Sequence, residues 1–279
     1  MSRVSDTVVV LRKRAYREQD ALLLLFSQAR GKLSAVARGA RSPRGRLTAA
    51  TEPLAVSRME LYQGRSTLFT VTEAELVSLN AGVRRDLMRT GRAAMLADVV
   101  DELTSDLDAA PAMYEALVAA LEALAADRDP HPIFLHALWR LLAAAGLKPE
   151  FGRCQQCGAA WGNPPWFWRG GFGPVDRACR AAGDASLLPG ALQWLSRMDA
   201  ADATGTGASA LGGVQAGAPV YAALDQLARD FLIYHLGRVP RAFRFWDAVA
   251  GVAASPPRPP GGPGTLGAPA SDGVKGVRA

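Results

Sequence analysis

The stretch Ala21-Leu22-Leu23-Leu24-Leu25-Phe26-Ser27-Gln28-Ala29-Arg30-Gly31-Lys32-Leu33-Ser34-Ala35-Val36-Ala37 reads as a β-strand, a tight turn and a second β-strand. The first arm, from Asp20 to Phe26, is a dense apolar run of strand length. Ser27 to Gly31 supplies the turn, and Lys32 to Ala37 returns with partial alternation of apolar and polar residues. Upstream, Thr7-Val8-Val9-Val10-Leu11 is a β-branched run followed by the basic segment Arg12-Lys13-Arg14. Downstream, beyond a basic loop, Leu54 to Tyr62 and Ser66 to Glu73 give two more strands around the turn Gln63-Gly64-Arg65. Five short strands within about 80 residues fit a small closed barrel, of which the OB barrel is the commonest nucleic-acid-binding form. Periodicity alone leaves an SH3-like barrel open.

The pattern then turns helical. Val83, Leu87, Met95, Leu96, Val99, Val100 and Leu103 recur at spacings near three and four. Pro111 opens a second helix, which is a tolerated place for proline. A third runs from Ile133 to Leu142 and ends at Gly146, a residue suited to a left-handed cap. Residues Arg153 to Arg180 form a Trp-, Gly- and Cys-rich insert without helical period. Leu188 to Met198 and Val220 to Leu236 are helical again, separated by an Ala/Gly/Thr-rich loop over Asp199 to Pro219. The expected fold class is α+β: an N-terminal five-stranded OB barrel (1–80), then an all-helical domain (81–152 and 183–252) carrying a zinc-ribbon-like insert (153–182). A Pro/Gly-rich tail (253–279) has almost no apolar anchors and reads as disordered.

A formal charge of +6 and a pI near 9.6 favour an anionic partner. The charge is local. Across the first fifty residues the cations Arg12, Lys13, Arg14, Arg17, Arg30, Lys32, Arg38, Arg41, Arg44 and Arg46 stand against only Asp6, Glu18 and Asp20. The loop Arg38-Gly39-Ala40-Arg41-Ser42-Pro43-Arg44-Gly45-Arg46 alternates Arg with small residues, so several guanidinium groups can approach one phosphate backbone, each releasing counterions. Arg12, Arg14, Lys32, Arg38, Arg41, Arg44 and Arg46 are therefore the candidate nucleic-acid contacts. Aromatics are few here, and Phe26, in its Leu-rich strand, reads as core. Binding should be salt-sensitive and blind to sequence. No stretch approaches the roughly 20 apolar residues of a membrane span. No signal peptide is expected, because Arg12, Lys13, Arg14 and Arg17 interrupt any apolar N-terminal run, and a cytoplasmic location is expected, nucleoid-associated if the anionic partner is DNA.

Cys154-Gln155-Gln156-Cys157 and Asp176-Arg177-Ala178-Cys179 have the spacing of paired knuckles, about 15 to 20 residues apart. Asp176 stands where a thiolate is expected. Zinc accepts carboxylate oxygen, so Cys154, Cys157, Asp176 and Cys179 can form a structural site. The alternative is a metal-free knuckle held by packing Trp161, Trp166, Phe167, Trp168 and Phe172 together. His131, His136 and His235 form no nucleophile–base or HExxH pattern, and neither a P-loop nor GxGxxG occurs. The acidic groups Asp98, Asp101 and Glu102 read as a solvated helix face rather than a Mg²⁺ site. No enzyme is expected.

These residues resemble the RecO family of bacterial DNA repair and recombination mediators. The resemblance is carried by Gly31-Lys32-Leu33-Ser34-Ala35-Val36-Ala37-Arg38-Gly39-Ala40-Arg41, then Glu60-Leu61-Tyr62-Gln63-Gly64, Arg153-Cys154-Gln155-Gln156-Cys157-Gly158 and His235-Leu236-Gly237, in that order over residues 5 to 250. It implies binding of single- and double-stranded DNA, annealing of complementary strands, and loading of RecA, together with RecR, onto strands coated with single-strand-binding protein. It also implies a basic apolar groove for the acidic tail of that coating protein, with Arg140, Arg229 and Arg238 as candidates. Asp176 departs from the family's Cys and places zinc in question. An RNA-binding or ribosome-associated OB protein is the competing reading, and a metal-dependent nuclease the third.

Overall fold

The computed structural model describes residues 2–43, 45–126, 128–162, 165–203, 216–241, 243, 244 and 247. β1 (Ser2–Ala15), β2 (Ala21–Ser27), β3 (Gly31–Ala37), β4 (Val56–Gln63) and β5 (Phe69–Ser78) close a barrel in the order β1-β2-β3-β5-β4. β3 and β5 pair in parallel and the other neighbours antiparallel, which is the OB-like ring. Val8, Val10, Leu23, Leu25, Leu33 and Met59 fill its interior, as the alternation of the strands requires.

The first strand is longer than its β-branched run. Arg12, Lys13 and Arg14 belong to it, paired with Leu24, Leu23 and Leu22. A register shift between Val10 and Arg12 inserts one residue, so Leu11 and Arg12 both turn toward the helices. Val9, Leu11 and Phe26 accordingly join the second core rather than the barrel's own. Phe26 is fully buried, its ring 6.0 Å from that of Tyr114.

That second core is built on α1 (Leu87–Leu103), α2 (Pro111–Ala125) and α3 (Pro130–Ala144), with α4 (Pro189–Ala203) and α5 (Ala218–Leu236). Gly146 takes the left-handed conformation after α3, as its position suggested. α4 runs five residues past Met198, because Asp199 and Asp202 do not serve a loop. Lys148 bonds Asp199, and buried His136 bonds Asp202 at 2.7 Å. The remainder of the expected loop from 204 to 215, and the tail 253–279, lie outside the described residues. No helix among the described residues is long and apolar enough to cross a membrane.

α1 is enclosed, and its acidic cluster is not the solvated face that its sequence suggested. Asp98 and Asp101 receive Arg12 at 3.1 and 2.9 Å. Lys32 reaches the Asp101 carboxylate at 3.2 Å and its carbonyl at 2.7 Å, and Arg241 stands 3.5 Å from the same carboxylate. Glu102 pairs with Arg238. An isolated helix with these spacings would expose such groups; here Arg12 and Lys32 of the barrel, with Arg238 and Arg241 from the segment after α5, supply their counter-ions.

Gly31 completes the junction. Its φ is +71°, and a Cβ there would lie 1.8 Å from the Asp108 carbonyl oxygen, while Leu107 donates to the Lys32 carbonyl at 2.8 Å. Gly31→Ala is expected to cost about 2–3 kcal/mol, since it combines a disfavoured φ with a backbone clash. A thermal or urea melt of the two proteins checks this.

Candidate nucleic-acid interface and metal cluster

The loop after β3 is a chain of tight turns. Ser42 donates to Gly39, Gly45 to Ser42 and Thr48 to Gly45, at 2.9–3.1 Å, and the Thr48 hydroxyl closes on the Ser42 carbonyl at 2.7 Å. The small residues seen in the sequence are what let the backbone fold so closely. Exposed Arg38 and Arg46 make no ion pair among the described residues and, with Arg58, line a groove of about 580 Å³ on the barrel. The far wall is acidic: Glu60, Glu73 and Glu75 come from β4 and β5, and Arg58 lies 3.6 Å from Glu75. A phosphate chain is therefore attracted to the loop lip and repelled from the strand wall.

Arg41 has a different task. Its backbone N–H donates to Gln19, and its guanidinium to the carbonyls of Arg17 and Glu18 at 3.1 Å each, while Gly39 donates to Asp20. It pins the β1–β2 loop against the basic loop and so fixes one end of the barrel. Arg12 and Lys32 are held at the barrel–helix junction by Asp98 and Asp101. Exposed Arg14 lines a second cavity there, about 360 Å³, beside Leu22, Ser34 and Arg241. Arg44 lies outside the described residues. Of the six candidate cations that are described, Arg38 and Arg46 stand at the groove, Arg12, Arg14 and Lys32 at the barrel–helix junction, and Arg41 between the two loops. Arg58 was not foreseen; its outward position in β4, two residues before Glu60, is the signal that could have found it.

The four knuckle residues do converge. One ligand atom from each of Cys154, Cys157, Asp176 and Cys179 lies within 4.8 Å of all the others, so the cluster can hold a metal ion. Tetrahedral zinc with sulfur at about 2.3 Å needs its ligand atoms about 3.8 Å apart, a small adjustment. The local fold explains the convergence. Gly158, at φ +74°, donates to the Cys154 carbonyl at 2.9 Å and closes the first turn. In the second, one Asp176 oxygen accepts from the Cys179 N–H at 2.8 Å, while the other faces the Cys157 sulfur at 3.3 Å. Asp176 thus holds the turn and offers a ligand at once. Burial opposes ionisation of Cys154, but backbone N–H groups of Cys157, Asp176 and Gln156 directed at its sulfur bring it down to about 7. Trp166, Phe167 and Trp168 are buried beside the cluster, whereas Phe172 is 48% exposed and does not join the packing expected of it. Trp168 meets Trp139 of α3 at 6.0 Å and so anchors the module to the helices.

A basic-lipped OB-like barrel, docked on a helical domain that bears a Cys₃Asp knuckle, defines a class of OB-barrel proteins with a helical partner domain. The comparisons narrow the class. Residues 1–80 match the family "Recombination protein O N terminal" and residues 84–242 "Recombination protein O C terminal". The chain is 35% identical over 260 residues to the DNA repair protein RecO of Anaeromyxobacter sp. (strain K), covering 89% of this chain and 98% of that one. It is 31% identical over 256 residues to the DNA repair protein RecO of Myxococcus xanthus, covering 89% and 99%. With that of Heliobacterium modesticaldum it shares 40% over 150 residues, 54% of each chain. The chain belongs to the RecO family of DNA repair and recombination proteins.

Proposed function

We propose that this chain is a non-catalytic mediator of recombination repair, cytoplasmic and nucleoid-associated. It binds single- and double-stranded DNA on the barrel, anneals complementary strands, and, with RecR, helps load RecA onto strands coated with single-strand-binding protein. The observation that carries the reading is the lip of Arg38 and Arg46 on the OB-like barrel, cations without acidic partners among the described residues. Two strands held on one such surface have their mutual repulsion screened, which favours pairing. Charge reversal at the lip, with DNA binding measured against salt, tests it.

In this reading the Cys₃Asp cluster holds structural zinc. All four positions are protein ligands, so the metal fixes the knuckle and leaves no position for water. Carboxylate is the harder donor, so Asp176→Cys should tighten zinc binding and Asp176→Ala loosen it, each on the order of tenfold. Competition with a chromophoric chelator measures both.

The acidic apolar tail of the single-strand-binding protein would seat in a cavity of about 270 Å³ lined by Arg92, Met95, Phe134, Leu138 and Arg229. Asp225 and Asp247 also line it, and Arg229 grips Asp247 through two guanidinium nitrogens at 2.6 Å, so an incoming carboxylate would take the place of Asp247. Of the three arginines considered from sequence, this one lines the cavity; Arg140 is exposed and Arg238 pairs with Glu102. Arg229→Ala should weaken capture of an acidic, hydrophobic peptide about tenfold, as expected for loss of a charge-assisted hydrogen bond, read by fluorescence anisotropy.

A further inference from the structure

The barrel offers almost no surface on which a base can stack. Phe26 and Phe69 are buried, leaving Tyr16, 46% exposed at the end of the β1–β2 hairpin, as its one large exposed aromatic among the described residues. Exposed aromatic rings occur instead on the cysteine-bearing module and the helix beside it. The three short strands there are β6 (Phe167–Arg169), β7 (Gly173–Val175) and β8 (Ala185–Ser186). Phe172, in the turn between β6 and β7, is 48% exposed, and Tyr234 of α5 is 71% exposed.

These two rings belong to one strip. A Cβ on Gly171 would lie 1.8 Å from the Tyr234 ring, so that ring rests directly on the backbone next to Phe172. The Arg169 guanidinium is 5.8 Å from the Phe172 ring centre, held there by Asp184, by Gln156 and by the Cys179 carbonyl at 2.7 Å. The next residue, exposed Arg180, lies 4.4 Å over the ring of Phe167. Phe167 and Arg169 alternate onto the same side of β6, but Phe167, like Trp168, is buried in the core, so Arg169 is the β6 residue that reaches the surface. Tyr234, Phe172, Arg169 and Arg180 therefore run in sequence across one face. Arg177 is exposed in the same knuckle and, like Arg180, makes no ion pair among the described residues.

Single exposed apolar residues need no explanation, but adjacent rings bordered by cations are the composition of a stacking surface for unpaired nucleic acid. We propose that this face is a second single-strand contact, in which bases stack on Phe172 and Tyr234 while Arg177 and Arg180 meet the flanking phosphates. Arg169, compensated by Asp184, positions Phe172. The inference rests on the reading that the chain binds single-stranded DNA, and it assigns the base-dependent part of that binding to a different face from the barrel lip. A strand crossing both faces would be held electrostatically at one and by stacking at the other.

The test compares a 30-nucleotide oligothymidylate with an abasic strand of equal length, on the full chain purified with zinc. The wild type should prefer the strand with bases by roughly tenfold or more, as loss of one or two stacks implies. Phe172→Ala/Tyr234→Ala should bind both strands alike while keeping the salt dependence, and Phe172→Trp should restore the preference. Photo-crosslinks from 5-iodouracil should fall on peptides containing Phe172 or Tyr234. A double variant that retains the full base preference, with crosslinks confined to the barrel, overturns the proposal and makes the strip a protein-docking face. If the wild type binds neither strand, the DNA-binding reading fails first and this one with it. If binding survives but is indifferent to bases, this one fails alone.

Discussion

Replacing Arg38 and Arg46 together by Glu should weaken single-stranded DNA binding by about two orders of magnitude at low salt. Each phosphate contact on a single strand contributes about −0.7 to the slope of log affinity against log salt, so removing two should flatten it by about 1.4. Reversal adds repulsion from a lip that already faces Glu60, Glu73 and Glu75 across the groove. Both side chains are exposed, so the melting temperature should hardly move. Arg41→Glu is the poorer experiment: it would also unpin the β1–β2 loop carbonyls and mix two effects. Arg12→Glu should give the opposite profile, a less stable protein through Asp98 and Asp101, with less change in the salt slope.

The second large effect is on stability. Asp101 receives Arg12 and Lys32 and stands near Arg241, and its side chain is only 13% exposed. Asp101→Ala leaves Lys32, equally enclosed, with the more distant Asp106 at 3.8 Å. Removing one partner of a fully buried pair costs about 3–5 kcal/mol; part-exposure of Arg12 and the remaining Asp98 and Asp106 reduce this to about 2–3 kcal/mol. For a chain of this size the melting point should fall by about 5–10 °C. Asp101→Asn, which keeps an acceptor, should lose less. Calorimetry of the three proteins decides. Equal stability of all three would mean that Asp101 contributes little and that the apolar contacts of Val9, Leu11 and Phe26, with the Leu107–Lys32 backbone bond, hold the barrel to the helices.

How far the sequence could be read follows from these residues. Alternation in β2 and β3, and the three- and four-residue spacing in the helices, identified barrel and bundle, because those patterns report burial directly. The spacing of Cys154, Cys157 and Cys179 also brought Asp176 into the cluster. What failed was everything set by one domain upon the other. The Asp98, Asp101 and Glu102 spacing is that of any solvated helix face, and Arg12 and Lys32 make its first two members a docking surface for the barrel. The same contact removed Arg12 and Lys32 from the open basic surface, a fate indistinguishable in sequence from that of Arg38. Strand β1 looked short because a bulge interrupts its period. Phe172 looked like core because composition cannot tell a ring beneath a knuckle from one on its rim.

The central claim is that the barrel lip holds DNA strands so that they can pair. The measurement that tests it most directly is annealing of labelled complementary oligonucleotides, bare and coated with single-strand-binding protein, across a salt series. The wild type should anneal both, with a rate that falls as salt rises, and Arg38→Glu/Arg46→Glu should anneal neither. Wild-type annealing that is absent at low salt, or that the double reversal leaves unchanged, would contradict the account.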